Sequence, residues 1–199
     1  MRKAINHLRK SDPVLAEIIR QVGGYRIDYK PATFHSLARS IVFQQLSGKA
    51  ASTIFGRLVS ATSDPLRPET VLKLTVADMR PLGLSQQKAA YVRDLAAKAA
   101  AGEIRFEKLP RLSDEKIIAE LTQVKGVGVW TAHMFLMFAL RRPNVLPVGD
   151  LGIRNAIQRA YKLDTAPGPA EIQRIAEPWH PYCSVASWYL WRSLGGPAG

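Results

Sequence analysis

Apolar positions recur along this chain at the spacing of a helix rather than a strand. Val14, Leu15, Ile18, Ile19 and Val22 form one such stripe, opened by Ser11-Asp12-Pro13 and closed by Gly23-Gly24. Phe34, Leu37, Ile41 and Val42 form the next, with Thr33 as cap and an end near Gln45. Further helices are predicted from about Ser47 to Ala61, Pro68 to Leu74, Val76 to Pro81 and Gln86 to Ala101. Thr75 and Ser85 supply two of the caps. Ser113, followed by Asp114 and Glu115, opens a helix to about Thr122. An apolar helix then runs from Val129 to Leu140, and others from Leu151 to Tyr161, Glu171 to Glu177 and Ser184 to Leu194. The tail from Gly195 to Gly199 is expected to fray. No stretch alternates with period two between turn signals, so the predicted fold class is all-α.

Composition changes this picture in one respect. Among 199 residues, 28 Lys and Arg face 16 Asp and Glu, a net charge of +12. That excess favours a polyanionic partner, nucleic acid or an anionic membrane surface. Cys183 is the only cysteine, which excludes an internal disulfide, a Cys-rich zinc site and a four-cysteine iron–sulfur cluster. The start lacks the apolar run of a secretory signal. No apolar segment reaches the roughly 20 residues needed to span a bilayer. The expectation is a soluble intracellular protein, in the cytoplasm or nucleoid.

Two short features carry candidate chemistry. Val124-Lys125-Gly126-Val127-Gly128 joins two predicted helices. Its glycines permit a tight turn and bare the N–H groups that open the second helix, where the helix dipole favours an anion. Lys125 adds a charge at the tip. Alone, Gly-x-Gly reads sooner as a plain helical corner with a glycine C-cap. Asp150 follows Val145-Leu146-Pro147-Val148-Gly149 and precedes Leu151-Gly152-Ile153-Arg154, at the head of a helix. Alone, it reads as an N-cap.

The fuller string Leu121-x-x-Val124-Lys125-Gly126-Val127-Gly128-x-Trp130-Thr131-Ala132, with Asp150 20 residues past Trp130, resembles the helix-hairpin-helix DNA glycosylases (HhH-GPD). It is most similar to their compact 3-methyladenine DNA glycosylase II branch. The resemblance implies a two-lobed helical fold with the active-site cleft between the lobes. It implies a single domain over 1–199, with a hairpin lobe over 33–112 and 113–161 and a second lobe from 1–32 and 162–194. It implies a DNA phosphate bound by Lys125, Gly126, Gly128 and Thr131, with Lys49 as a further phosphate contact. Backbone carbonyls of Thr122, Val124 and Val127 would hold a K⁺ or Na⁺ ion. No other cofactor, and no iron–sulfur cluster, is expected.

Within that resemblance Asp150 is the catalytic carboxylate, stabilising the positive charge that builds on the sugar as the bond to the base breaks. The strand-cutting members carry a lysine two residues after the second glycine. Trp130 stands there, and an indole cannot form a Schiff base. The implied reaction is therefore hydrolysis alone, a monofunctional glycosylase that starts base excision repair on alkylated purines. Arg39 to Ala51 resembles the segment that fills the gap left by the extruded base, with Gln45 as the inserting residue and Leu46 as its alternate. Gln44 and Gln45 by themselves also read as polar satisfaction at a helix end. Trp130 and Trp191 match base-pocket positions, where aromatic faces attract cationic bases. Phe34 and His35 are weaker pocket candidates. Met134, Leu151 and Cys183 depart from the pattern. The expected partner is double-stranded DNA with a damaged base, met by a monomer and without a membrane. The competing readings are a non-catalytic DNA-binding protein with this hairpin, a basic helical scaffold, and a glycosylase for a deaminated or oxidised base.

Overall fold

In the computed structural model, which describes residues 1–195, every regular element is helical. The helices are α1 (Arg2–Ser11), α2 (Pro13–Val22), α3 (Phe34–Phe43), α4 (Gly48–Ser60), α5 (Pro68–Leu72), α6 (Val76–Met79), α7 (Gln86–Ala100), α8 (Asp114–Leu121), α9 (Val129–Phe138), α10 (Leu151–Ala160), α11 (Pro169–Ala176) and α12 (Cys183–Ser193). Residues 109–111 and 177–179 add single 3₁₀ turns. Of the expected frayed tail, 196–199 lies outside the described residues. No helix among the described residues is long and apolar enough to cross a membrane.

The chain divides into two compact units. The first joins residues 1–29 to 136–199 and the second is the continuous stretch 30–135. The bounds differ from the expected lobes, because 136–161 falls in one unit with residues 1–29. The cause is the apolar face of α10: Ile153, Ala156 and Ile157 are buried with Leu15, Ile19, Trp179 and Tyr189 in one core. Burying each such side chain contributes on the order of 1.5–3 kcal/mol. α12 runs through this core, with every residue from Cys183 to Leu190 buried. α1 was not foreseen. Its apolar residues are sparse among Arg and Lys, yet Ala4 and Leu8 are buried against the same core. The helix predicted from Glu171 to Glu177 instead starts at Pro169, a residue suited to a first turn, and tightens to 3₁₀ from Glu177.

In the second unit α7 packs against α3, α5 and α6, and α3 against α4. Thr33, Ser47, Thr75, Ser85 and Ser113 each cap a helix through the side-chain oxygen, as their chemistry predicts. Thr75 and Asp78 complete a reciprocal capping box.

Candidate active site and nucleic-acid interface

The hairpin lies in the second unit. α8 ends at Leu121, and Val124 and Val127 turn inward at 2% and 4% exposure, anchoring the turn in the core. The Val127 N–H donates to the Val124 carbonyl at 3.0 Å. Gly126 has φ +79°, and a Cβ there would meet ring carbons of Tyr91 at 2.0–2.6 Å. Glycine is thus required twice, by conformation and by space. α7 supports the turn from below: Tyr91 supplies the ring and Asp94 Oδ2 accepts from the Lys125 N–H at 2.9 Å. Nothing in the sequence around Tyr91 or Asp94 marks this role. Gly128 is exposed, with open space where its Cβ would stand. The Lys125 side chain is also exposed, so the tip presents a cation.

Thr131 does not join them with its side chain. It is 5% exposed, and its hydroxyl accepts from Gln44 Nε2 at 3.3 Å. The same Gln44 amide donates to the Gly126 carbonyl at 2.9 Å. The next residue, Gln45, is held at φ +56°. Gln45 and Leu46 are exposed in the turn between α3 and α4, and Lys49 is exposed in the first turn of α4.

Phe34 and His35, the weaker pocket candidates, both make packing contacts within the second unit. Phe34 is a core residue whose ring packs edge-on against Phe106. His35 Nδ1 accepts from the Leu66 N–H at 3.0 Å and its ring packs on Phe55. Both side chains are used in holding the second unit together. Trp130, by contrast, is 48% exposed at the head of α9.

Asp150 and Trp191 lie in the first unit and meet directly. Asp150 is the N-cap of α10, with Oδ1 accepting from the Ile153 N–H at 2.8 Å. The Trp191 indole N–H donates to that same Oδ1, also at 2.8 Å. The carboxylate is 8% exposed. The Trp191 ring stacks on Phe138 with centroids 5.9 Å apart. Gly152 completes the arrangement: a Cβ there would stand 3.0 Å from Asp150 Oδ1 and 3.0 Å from Trp191 Cδ1.

The loop before Asp150 is stitched to the head of α12. Ser184 Oγ donates to the Arg142 carbonyl at 2.7 Å and accepts from the Val145 N–H at 2.9 Å. Ser184 N–H donates to the Pro143 carbonyl at 3.0 Å. Ser184 and Trp191 are two helical turns apart on one face. One helix therefore fixes both the loop that delivers Asp150 and the indole that orients it. The structure brings together Asp150 and Trp191, both singled out in the sequence, while Gly152 and Ser184 carry no sequence signal because their partners are set by the fold. Gln44, read in the sequence as polar satisfaction at a helix end, bonds to the hairpin. Of the departing positions, Leu151 is 66% exposed and Cys183 is fully buried beside His180. Burial pushes the Cys183 thiol up to about 12.

An all-helical chain with a glycine hairpin and a capped, indole-bound aspartate defines a class, and comparison with known proteins names it. Residues 38–181 match the family model of the HhH-GPD superfamily base excision DNA repair proteins, and the chain belongs to that superfamily. It is 34% identical over 197 residues to DNA-3-methyladenine glycosylase 1 of Schizosaccharomyces pombe, covering 96% of this chain and 86% of that one. The solved structure of the 3-methyladenine DNA glycosylase Mag1 of that yeast with abasic DNA superposes with a TM-score of 0.84 at 33% identity, covering 99% and 98% of the two chains. The DNA-3-methyladenine glycosidase of Bacillus halodurans gives 0.87 at 34% identity, covering 96% and 89%.

Proposed function

We propose that this protein is a monofunctional DNA glycosylase that hydrolyses the N-glycosidic bond of alkylated purines of the 3-methyladenine type in duplex DNA. Such a reaction opens base excision repair. The observation that carries the reading is Asp150, a nearly buried carboxylate held by the Ile153 N–H and the Trp191 indole in a chain of this superfamily. A base alkylated on a ring nitrogen already bears positive charge and leaves as a neutral molecule. The sugar is left cationic at C1′. Asp150 stabilises that cation and takes up a proton from the attacking water, whose oxygen bonds to C1′. The product is an abasic site and a free base. Trp130, where strand-cutting relatives carry lysine, offers no amine for a covalent intermediate.

The two units divide the labour. The hairpin of the second unit grips a phosphate through Gly126, Gly128 and Lys125, with Lys49 as a further cation, and Gln45 or Leu46 fills the gap left by the base. The first unit supplies Asp150 and, with Trp191, an aromatic face suited to a cationic base. Trp130, exposed at the head of α9, is a further indole of the kind such a base attracts. The carbonyls of Thr122, the C-cap of α8, and of Val124 and Val127 in the following turn are neutral oxygen donors of the kind that would hold a K⁺ or Na⁺ ion, with the Val124 oxygen also accepting from the Val127 N–H. An ion held there would supply positive charge to the hairpin.

The test is base release from methylated duplex DNA, with wild type and Asp150→Asn compared. Wild type releases base and Asp150→Asn does not, while both bind abasic DNA. No covalent complex is trapped by borohydride. Release at a normal rate by Asp150→Asn overturns the role of the carboxylate. Absence of release by wild type from alkylated, deaminated and oxidised duplexes alike overturns the enzyme reading in favour of a binding protein.

A further inference from the structure

The Gln44 side chain joins the α3–α4 turn to the hairpin through hydrogen bonds to both hairpin limbs. Its amide donates to the Gly126 carbonyl at 2.9 Å and to the Thr131 hydroxyl at 3.3 Å, spanning 82 and 87 residues of chain. Its own backbone carbonyl is held in turn by Lys88, whose ammonium also donates to the Val42 carbonyl at 2.7 Å. Lys88 is therefore a cap for the end of α3, where helix carbonyls need donors. The bonds within the turn itself are long: the Gln44 and Leu46 N–H groups reach the Ile41 and Phe43 carbonyls at 3.4 Å each. A turn with weak internal bonds, a left-handed Gln45 and an exposed Leu46 takes its shape mainly from these outside anchors.

On the hairpin side the anchor is equally specific. The peptide between Gly126 and Val127 has its carbonyl bound by Gln44 and its N–H bound by the Val124 carbonyl at 3.0 Å. Its orientation is set from both ends, and with it the direction in which the following N–H groups face. The Tyr91 ring closes the remaining side.

We infer that Gln44 is a positioning residue that couples the phosphate-gripping hairpin to the gap-filling turn, so that grip on the backbone and insertion beside the lesion occur as one rigid motion. The inference rests on the glycosylase reading above for the role of the turn. Lys88 and Thr131 are the two lesser members of the coupling. Loss of Gln44 would leave each element present but free to shift against the other. Phosphate binding would then survive, and the extra affinity gained by insertion would not.

The experiment measures affinity for two duplexes at one salt concentration, one carrying a stable abasic-site analogue and one undamaged. Thermal melting is recorded for each variant. Gln44→Met keeps the side-chain length and removes both donors. Its preference for the abasic duplex falls about tenfold, while affinity for undamaged DNA changes less than about twofold. Thr131→Val, which removes only the hydroxyl, lowers the preference about threefold and serves as the test if Gln44→Met fails to fold. An unchanged preference in the folded variants overturns the coupling, as does an equal loss on both duplexes. Wild type that releases base yet binds both duplexes equally also overturns it. Wild type that releases no base, with the variants still lowering the preference, overturns the glycosylase reading alone.

Discussion

Asp12 and Asp150 are built from the same parts within the same unit. Each is an N-cap, of α2 and of α10, each is nearly buried, at 5% and 8% exposure, and each accepts from a tryptophan indole. At Asp12 the bonds spread over both oxygens: Oδ1 takes the Val14 and Leu15 N–H groups, and Oδ2 takes Trp179 Nε1 at 2.7 Å and the Tyr161 hydroxyl. At Asp150 the Ile153 N–H and Trp191 Nε1 converge on Oδ1. Their surroundings differ further. Trp179 is fully buried, whereas Trp191 is half-buried, and Asp150 is flanked by exposed Gly149 and Leu151. A cap and an indole do not by themselves make a catalytic carboxylate. What separates the two is whether the polar partners close the group into the core or orient it at an edge.

That contrast can be broken most sharply by making the same change at both positions. Asp150→Asn is expected to lower base release about a hundredfold or more. Its melting temperature should stay within about 2 °C, since Asn caps a helix as well as Asp. Asp12→Asn should do the reverse. An amide there must point a donor at a donor, at a cost of about 2–3 kcal/mol, while base release per folded molecule is unchanged. For a chain of this size that is a drop of roughly 5–10 °C in melting temperature. If both variants lose activity in proportion to lost stability, the distinction between the two aspartates fails. A smaller effect is expected at Gly152→Ala, where the new Cβ crowds Asp150 Oδ1 and Trp191. Base release should fall about tenfold, from displacement of a positioned group. The helix itself gains up to about 1 kcal/mol, because Ala is the better helix former. Activity lost without stability lost would locate the effect at the Asp150–Trp191 pair.

The smallest effect belongs to Tyr161→Phe, measured as stability against pH. Burial, and then the bond to Asp12, push the Tyr161 hydroxyl above its ordinary range. The folded state therefore holds that proton more tightly than the unfolded chain does. The stability so contributed is intact below about pH 10, the ordinary tyrosine value, and is lost as pH rises beyond it. Tyr161→Phe should cost about 1 kcal/mol at neutral pH and flatten that alkaline decline. Base release at neutral pH should not change. An alkaline decline identical to that of wild type would remove Tyr161 from the account of Asp12.

Local chemistry in this chain was legible in advance, and distant pairing was not. Thr33, Ser47, Thr75, Ser85 and Ser113 cap helices because a short hydroxyl and the next N–H groups are all the interaction needs. The hairpin glycines and Asp150 were legible for the same reason, as turn and cap chemistry, and resemblance supplied their roles. The Thr131 hydroxyl bonds to Gln44, 87 residues away, and His35 Nδ1 to a backbone N–H 31 residues on, and neither pairing is visible in the sequence. Gly152 reads as an ordinary helix glycine until Trp191 is placed against it. α1 was overlooked because its buried face is two residues wide and the rest is charged.

The discontinuity of the first unit has a consequence for how the protein comes into being. Residues 30–135 are continuous in sequence, so this unit can begin to build its core as soon as that stretch has left the ribosome. The bond from Trp179 to Asp12 spans 167 residues, and the indole that holds Asp150 follows it by 41 residues. During synthesis the unit that carries the hairpin can therefore take shape while the aspartate still lacks its partner. A chain stopped just short of Trp191 would carry the hairpin and the carboxylate, and would lack the contact that turns the second towards its task.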